Sequence, residues 1–138
     1  MKRKLGVLIT IVLLIFIPTR DLEAKGVGNI IHPCYEYTDD IGAELSISAN
    51  GIANIKAKCV SSVGDIEKIY LHVYLQKYVN EEWKNVQYWP ATSQTRTCTL
   101  NKSMEVVHGY SYRVKVSAYV MTTDDSEQIV IYTGSKWY

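Results

Sequence analysis

An all-β chain folded as a seven-stranded antiparallel sandwich is what this sequence predicts, and three observations carry the prediction. The first is the run Ser111–Val120. Tyr112, Val114, Val116, Ala118 and Val120 share one parity, and Ser111, Arg113, Lys115, Ser117 and Tyr119 the other. A strict period of two is a strand with one buried face. The second is that runs of the same kind recur at spacings near ten residues, set apart by turn residues. The third is that no helical periodicity follows the first two dozen residues.

Those first residues read as an export signal. Lys2, Arg3 and Lys4 open the chain, and Leu5–Ile17 is apolar up to Pro18. A helix of that length spans about 20 Å, short of the ~30 Å hydrocarbon core of a bilayer. A basic start, a short apolar run and a small residue after it are the parts of a secretory signal. Leu22-Glu23-Ala24 is the best cleavage site, so residues 1–24 are expected to be removed; the competing reading is an uncleaved N-terminal anchor. Four basic residues (Lys2, Arg3, Lys4 and Arg20) leave with Asp21 and Glu23, which turns the net charge of +1 into −1. A near-neutral domain has no global attraction to nucleic acid, and nothing after the signal inserts stably into a membrane. The expected location is extracellular. Phe16, the only Phe, departs too, so Tyr and Trp supply the aromatic bulk.

The segment 25–40, with Pro33 and Asp39-Asp40, reads as irregular. The sandwich follows over 41–138. Ile41–Ser48 alternates through Ala43, Leu45 and Ile47, and Asn50-Gly51 is a strong hairpin signal because both residues tolerate positive φ. Ile52–Val60 returns with Ala53, Ile55, Ala57 and Cys59 on one face. In Ile66–Tyr78 the aliphatic set Ile69, Leu71, Val73 and Leu75 marks the core side; Tyr70, His72, Tyr74 and Gln76 face away. Trp83–Trp89 is expected to stop at Pro90, which cannot donate to a ladder. Thr95–Leu100, Val106–Met121 and Gln128–Trp137 complete the set.

Val106, Gly109 and Tyr112 resemble the corner of immunoglobulin-like and fibronectin type III sandwiches. An apolar residue and a turn Gly there precede a Tyr whose hydroxyl bonds back to upstream backbone. The stretch Leu75-Gln76-Lys77 … Trp83-Lys84-Asn85-Val86 … Trp89 also resembles small secreted proteins of Gram-positive bacteria that carry one such domain. The resemblance covers residues 41–138. It implies a fibronectin type III-like fold and no assigned activity. Cys59 and Cys98 take core parity on strands that neighbour each other in that architecture, which makes them a candidate disulfide, with Cys34 left over. Their other reading is as small buried hydrophobes.

No reactive constellation stands out. His32, His72 and His108 are far apart and lack metal-ligand spacing. Asp124-Asp125-Ser126-Glu127 offers oxygen ligands without a regular calcium loop, and those residues are ordinary in hairpin turns. No G-x-S-x-G elbow is present, and Asn101-Lys102-Ser103 matches a glycosylation acceptor, a match read as coincidence in the bacterial product that the resemblance implies. The expectation is a non-enzymatic module without cofactor or metal. Tyr70, Tyr74, Arg113, Lys115 and Tyr119 take the non-core parity of two neighbouring strands and form a candidate binding face, since Tyr and Arg are enriched in binding surfaces. Its partner is an unknown protein or, alternatively, a cell-surface glycan stacked on exposed Tyr and Trp. A small secreted hydrolase is the third reading. The competing structural role for these rings is cross-strand packing.

Overall fold

The computed structural model describes residues 35–138. The candidate signal segment, residues 25–34, His32 and Cys34 lie outside the described residues. The described residues are all-β, with strands β1 (Thr38–Ile47), β2 (Ile52–Ser61), β3 (Ile66–Val79), β4 (Glu82–Ser93), β5 (Thr97–Glu105), β6 (Ser111–Thr122), β7 (Ser126–Tyr132) and β8 (Lys136–Trp137). The smaller sheet runs β1-β2-β5, and the larger runs β4-β3-β6-β7 with β8 also paired to β6. All pairings are antiparallel.

Both sheets feed one core. The aliphatic parity of β3 (Ile69, Leu71, Val73, Leu75) lies beside that of β6 (Val114, Val116, Ala118, Val120). From the other sheet come Leu45, Ala53, Ile55, Ala57, Cys59, Cys98 and Leu100. Each fully buried Val, Leu or Ile contributes about 1.5–3 kcal/mol by leaving water. Tyr112 is the one aromatic ring among the buried side chains of the described residues.

Four expectations need correction, each for a local reason. The described residues form eight strands rather than the seven expected. The run Gln128–Trp137 breaks at Thr133, whose N–H donates to Val114 O at 2.9 Å while its hydroxyl accepts the Val114 N–H at 2.9 Å. The side chain replaces a ladder carbonyl, and β8 rejoins β6 one residue out of step with β7. The strand expected to stop at Pro90 continues to Ser93, because β4 is an edge strand and the missing N–H breaks no interior ladder. The segment expected to be irregular through Asp40 joins the sheet at Thr38. Glu127 holds it there, since its carboxylate accepts from Glu36 N at 2.7 Å, Tyr37 N at 3.2 Å and Thr38 Oγ1 at 2.8 Å. Finally, Val106–Tyr110 is a turn rather than the start of a strand, while β5 extends to Glu105.

That turn is the corner. Gly109 takes φ +92°, which L side chains resist. Val106 N donates to Gly51 O at 2.8 Å, tying the corner to the first hairpin. Gly51 itself has φ +80°, and an added Cβ would lie 2.8 Å from the Tyr138 hydroxyl. Tyr112, 2% exposed, donates its hydroxyl to Val107 O at 2.8 Å and accepts from Val107 N at 3.1 Å.

Tyr112→Phe removes both bonds and keeps the ring. Because Val107 is exposed, water can serve its freed backbone groups, so the loss is expected to be about 1 kcal/mol. Denaturant unfolding checks this; an unchanged midpoint would show that the hydroxyl does not fasten the corner.

Candidate functional site

The solvent side of the larger sheet is set by the parity that β3 and β6 do not spend on the core. Across the β3–β6 ladder the outward pairs are Tyr70 with Tyr119, His72 with Ser117, Tyr74 with Lys115 and Gln76 with Arg113. β4 adds Thr92, Pro90 and Tyr88 opposite Tyr70, His72 and Tyr74. β7 adds Tyr132 opposite Lys115, Val130 opposite Ser117 and Gln128 opposite Tyr119. Thus Tyr70, Tyr74, Arg113, Lys115 and Tyr119 share one face, each half-buried rather than fully exposed.

Sequence reasoning missed Trp83, Tyr88 and Tyr132 as members. The ladder β3–β4 shifts between Leu75 and Gln76, leaving Val86 as an extra residue. A bulge puts an odd and an even position on the same side. Trp83 and Tyr88, of opposite parity in the sequence, therefore share a face. Tyr132 had a readable signal, since it keeps the parity of Gln128 and Val130.

The rings are knit to one another and to cations. Tyr74 and Tyr88 lie 5.0 Å apart between centroids. His72 stacks on Tyr88 at 5.9 Å and meets Tyr119 edge-on at 5.6 Å. Its Nδ1 is 2.8 Å from the Tyr88 hydroxyl. Lys68 Nζ lies over Tyr70 at 5.2 Å and Lys115 Nζ over Tyr74 at 5.8 Å. The Arg113 guanidinium lies over Trp83 at 4.3 Å and over Tyr132 at 4.4 Å. Its Nε donates to Gln76 Oε1 at 2.8 Å, and Gln76 Nε2 donates in turn to Asn85 Oδ1 at 2.8 Å. Gln76 is buried. Each exposed cation–π contact contributes about 0.5–1 kcal/mol, so part of this network serves the sheet itself.

The charge distribution is one-sided. No Asp or Glu stands among the outward positions named above, nor anywhere in β6. The ion pairs of the described residues lie elsewhere, Lys56–Glu44 at 3.7 Å, Lys58–Asp40 at 3.3 Å and Lys84–Glu82 at 3.9 Å. Two of them belong to the smaller sheet, and Lys84 pairs with Lys77, off the Arg113 face.

The acidic hairpin has another job. Asp125 Oδ2 accepts from the Tyr37 hydroxyl at 3.1 Å, while Glu127 holds residues 36–38. Desolvation, followed by the Asp125 and Glu36 carboxylates, pushes the Tyr37 phenol up to about 12. These acids fasten the entry of β1 to the opposite sheet. No group of three or more His, Cys, Asp or Glu side chains converges among the described residues. His108 packs edge-on against Tyr138 at 5.2 Å.

Cys59 and Cys98 stand directly opposite each other in the β2–β5 ladder, and both are free thiols. The candidate disulfide is not formed. The bonds Ser61 N to Arg96 O and Val106 N to Gly51 O place the odd positions of β2 in the hydrogen-bonded pairs of this ladder. In such pairs the Cβ atoms sit at the wide end of about 4.5–5.5 Å, whereas a disulfide takes about 3.5–4.5 Å. The thiols act as small core hydrophobes.

No family model matches the chain, and no curated protein matches it. Among solved structures it is similar to a protein from Archaeoglobus fulgidus, at 14% identity and a TM-score of 0.36. That alignment covers 73% of this chain and 97% of the other.

Burial, followed by the Cys98 thiol beside it, pushes Cys59 from 9.0 up to about 11. Burial raises Cys98 as well. A raised thiol pKa means that the folded state holds its proton longer than the unfolded state. The associated stability is full below about pH 9 and is lost as pH rises through about 11. Unfolding midpoints between pH 8 and 11 should therefore fall less steeply in Cys59→Ala than in the parent chain. Equal slopes would show that the buried thiol does not contribute.

Proposed function

We propose that this chain is an exported, non-enzymatic binding module of fibronectin type III-like architecture. Its docking surface is the outward face of β4, β3, β6 and β7, and its partner is a protein. The architecture is supported by the Val106–Gly109–Tyr112 corner and by the pairings β2–β5 and β3–β6, the neighbours that the family resemblance implies. The basic, apolar and small-residue sequence of residues 1–24 supports export, in line with the resemblance to small secreted Gram-positive proteins.

One observation carries the functional reading. Tyr70, Tyr74, Tyr88, Tyr119, Trp83, Tyr132, Arg113 and Lys115 gather on one sheet face, where Thr, Ser and Lys would serve a solvated strand equally well. Rings present area with little rotamer entropy to lose on binding. The polar groups form a linked set along the sheet, Asn85 to Gln76 to Arg113 and Ser117 to Gln128 to Tyr119. A spread of this kind suits a broad contact with another protein.

The double variant Tyr70→Ser/Tyr74→Ser is expected to stay folded, with a melting temperature lowered by the lost Lys68–Tyr70, Lys115–Tyr74 and Tyr74–Tyr88 contacts, and to lose retention on cell-surface preparations. Protease treatment of those preparations should abolish retention of the parent chain. Retention unaltered in a double variant that melts several degrees lower would mean that the rings only stabilise the sheet. Retention that survives protease but not glycan removal would replace the protein partner by a carbohydrate.

A further inference from the structure

Arg113 is held more firmly than a solvated arginine needs to be. Trp83 and Tyr132 hold its guanidinium at 4.3 and 4.4 Å. Buried Gln76, itself held by Asn85, accepts the Nε–H hydrogen bond through Oε1. A guanidinium has five N–H donors in a fixed fork. Among the described residues no acceptor takes those on the two Nη atoms. The fork is thus oriented, its rotamer freedom already spent, and its bidentate edge unused.

The surrounding charge is unmatched in the same way. Lys68, Arg113 and Lys115 rest on rings, whereas Lys56, Lys58 and Lys84 each have a carboxylate within ion-pair distance. A cationic face without internal anions is the complement of an acidic surface. Arg113 and Lys115 occupy alternate positions of one strand, so their stems rise about 6.6 Å apart along it. Acidic side chains at alternate positions of an extended segment have the same spacing.

Resting on the docking-surface reading above, we propose that Arg113 and Lys115 read paired carboxylates on an acidic, extended segment of the partner protein. The Arg113 Nη edge takes one carboxylate bidentately, with Trp83 and Tyr132 flanking it. Lys115 takes the second as a point charge above Tyr74. The tie of Gln76 to Arg113 fixes where the first carboxylate sits. Ring faces that already carry Lys or Arg are less open for stacking sugar rings, which favours a peptide over a glycan.

The test uses the full chain and a synthetic peptide alternating Glu with Thr, compared with the same peptide carrying Gln for Glu, by calorimetry at low and at physiological salt. The Glu peptide should bind, more weakly as salt rises, and the Gln peptide should not. Arg113→Gln should weaken binding by about tenfold to a hundredfold, the range of a charge-assisted bidentate contact. Arg113→Lys should recover only part of this, and Lys115→Gln, which leaves the ring sandwich intact, should also weaken binding. Equal binding of Glu and Gln peptides, or unchanged affinity in both Arg113→Gln and Lys115→Gln, overturns the inference. So does preferential binding of an oligouronate, which would make the ligand an anionic glycan. If surface retention depends on Tyr70 and Tyr74 but the Glu peptide does not bind, the docking face stands and the acidic partner falls.

Discussion

The ladder between β3 and β6 is the constraint on which the rest depends. Its register runs unbroken from Lys68 opposite Met121 to Lys77 opposite Tyr112. One parity of that pair fills the core, and the other builds the ring-and-cation face. The period of two permits no compromise, because a slip of one residue would exchange the two sets. Ile69, Leu71, Val73 and Leu75 would meet water, while Tyr70, His72 and Tyr74 would have to bury their polar atoms. The hydrophobic core therefore specifies the geometry of the candidate site as well as the stability of the fold.

The two sides of this ladder use tyrosine differently. On the inner side Tyr112 is placed by its hydroxyl, which closes the corner onto Val107. Burial raises its pKa and the Val107 backbone bond acts against that rise, as expected for a phenol that leaves water but keeps a partner. On the outer side the rings are placed by cations and by each other. Lys and Arg stems can cover apolar ring surface while their charges stay wet. Among the outward positions paired in the β3–β4, β3–β6 and β6–β7 ladders no carboxylate balances those charges.

Legibility in the sequence followed the range of the interactions. The central strands could be read because each signals its own face, as Val114, Val116 and Ala118 do. The corner was legible because Val106, Gly109 and Tyr112 lie within a few residues of each other, and so was the clustering of Tyr70, Tyr74, Arg113, Lys115 and Tyr119. What could not be read depends on distant partners or on broken periodicity. Glu127 draws Thr38 into the sheet across 89 positions, and no local pattern announces it. The bulge at Val86 reverses parity within β4 and hides that Trp83 and Tyr88 join the face. Thr133 ends β7 with a side-chain bond that its β-branched, strand-like character conceals. For Cys59 and Cys98 the pairing of strands was inferable, but the kind of pair was not, and that kind sets the separation of their Cβ atoms.

The register of the β3–β6 ladder is the central claim, and interstrand nuclear Overhauser effects measure it directly. The expected pattern joins the backbone of Tyr74 to that of Lys115, and of Gln76 to that of Arg113. Contacts from Tyr74 to Val114 or Val116 in place of Lys115 would mean a slipped ladder. The aromatic residues would then face the core, and the account of both core and docking face would be wrong.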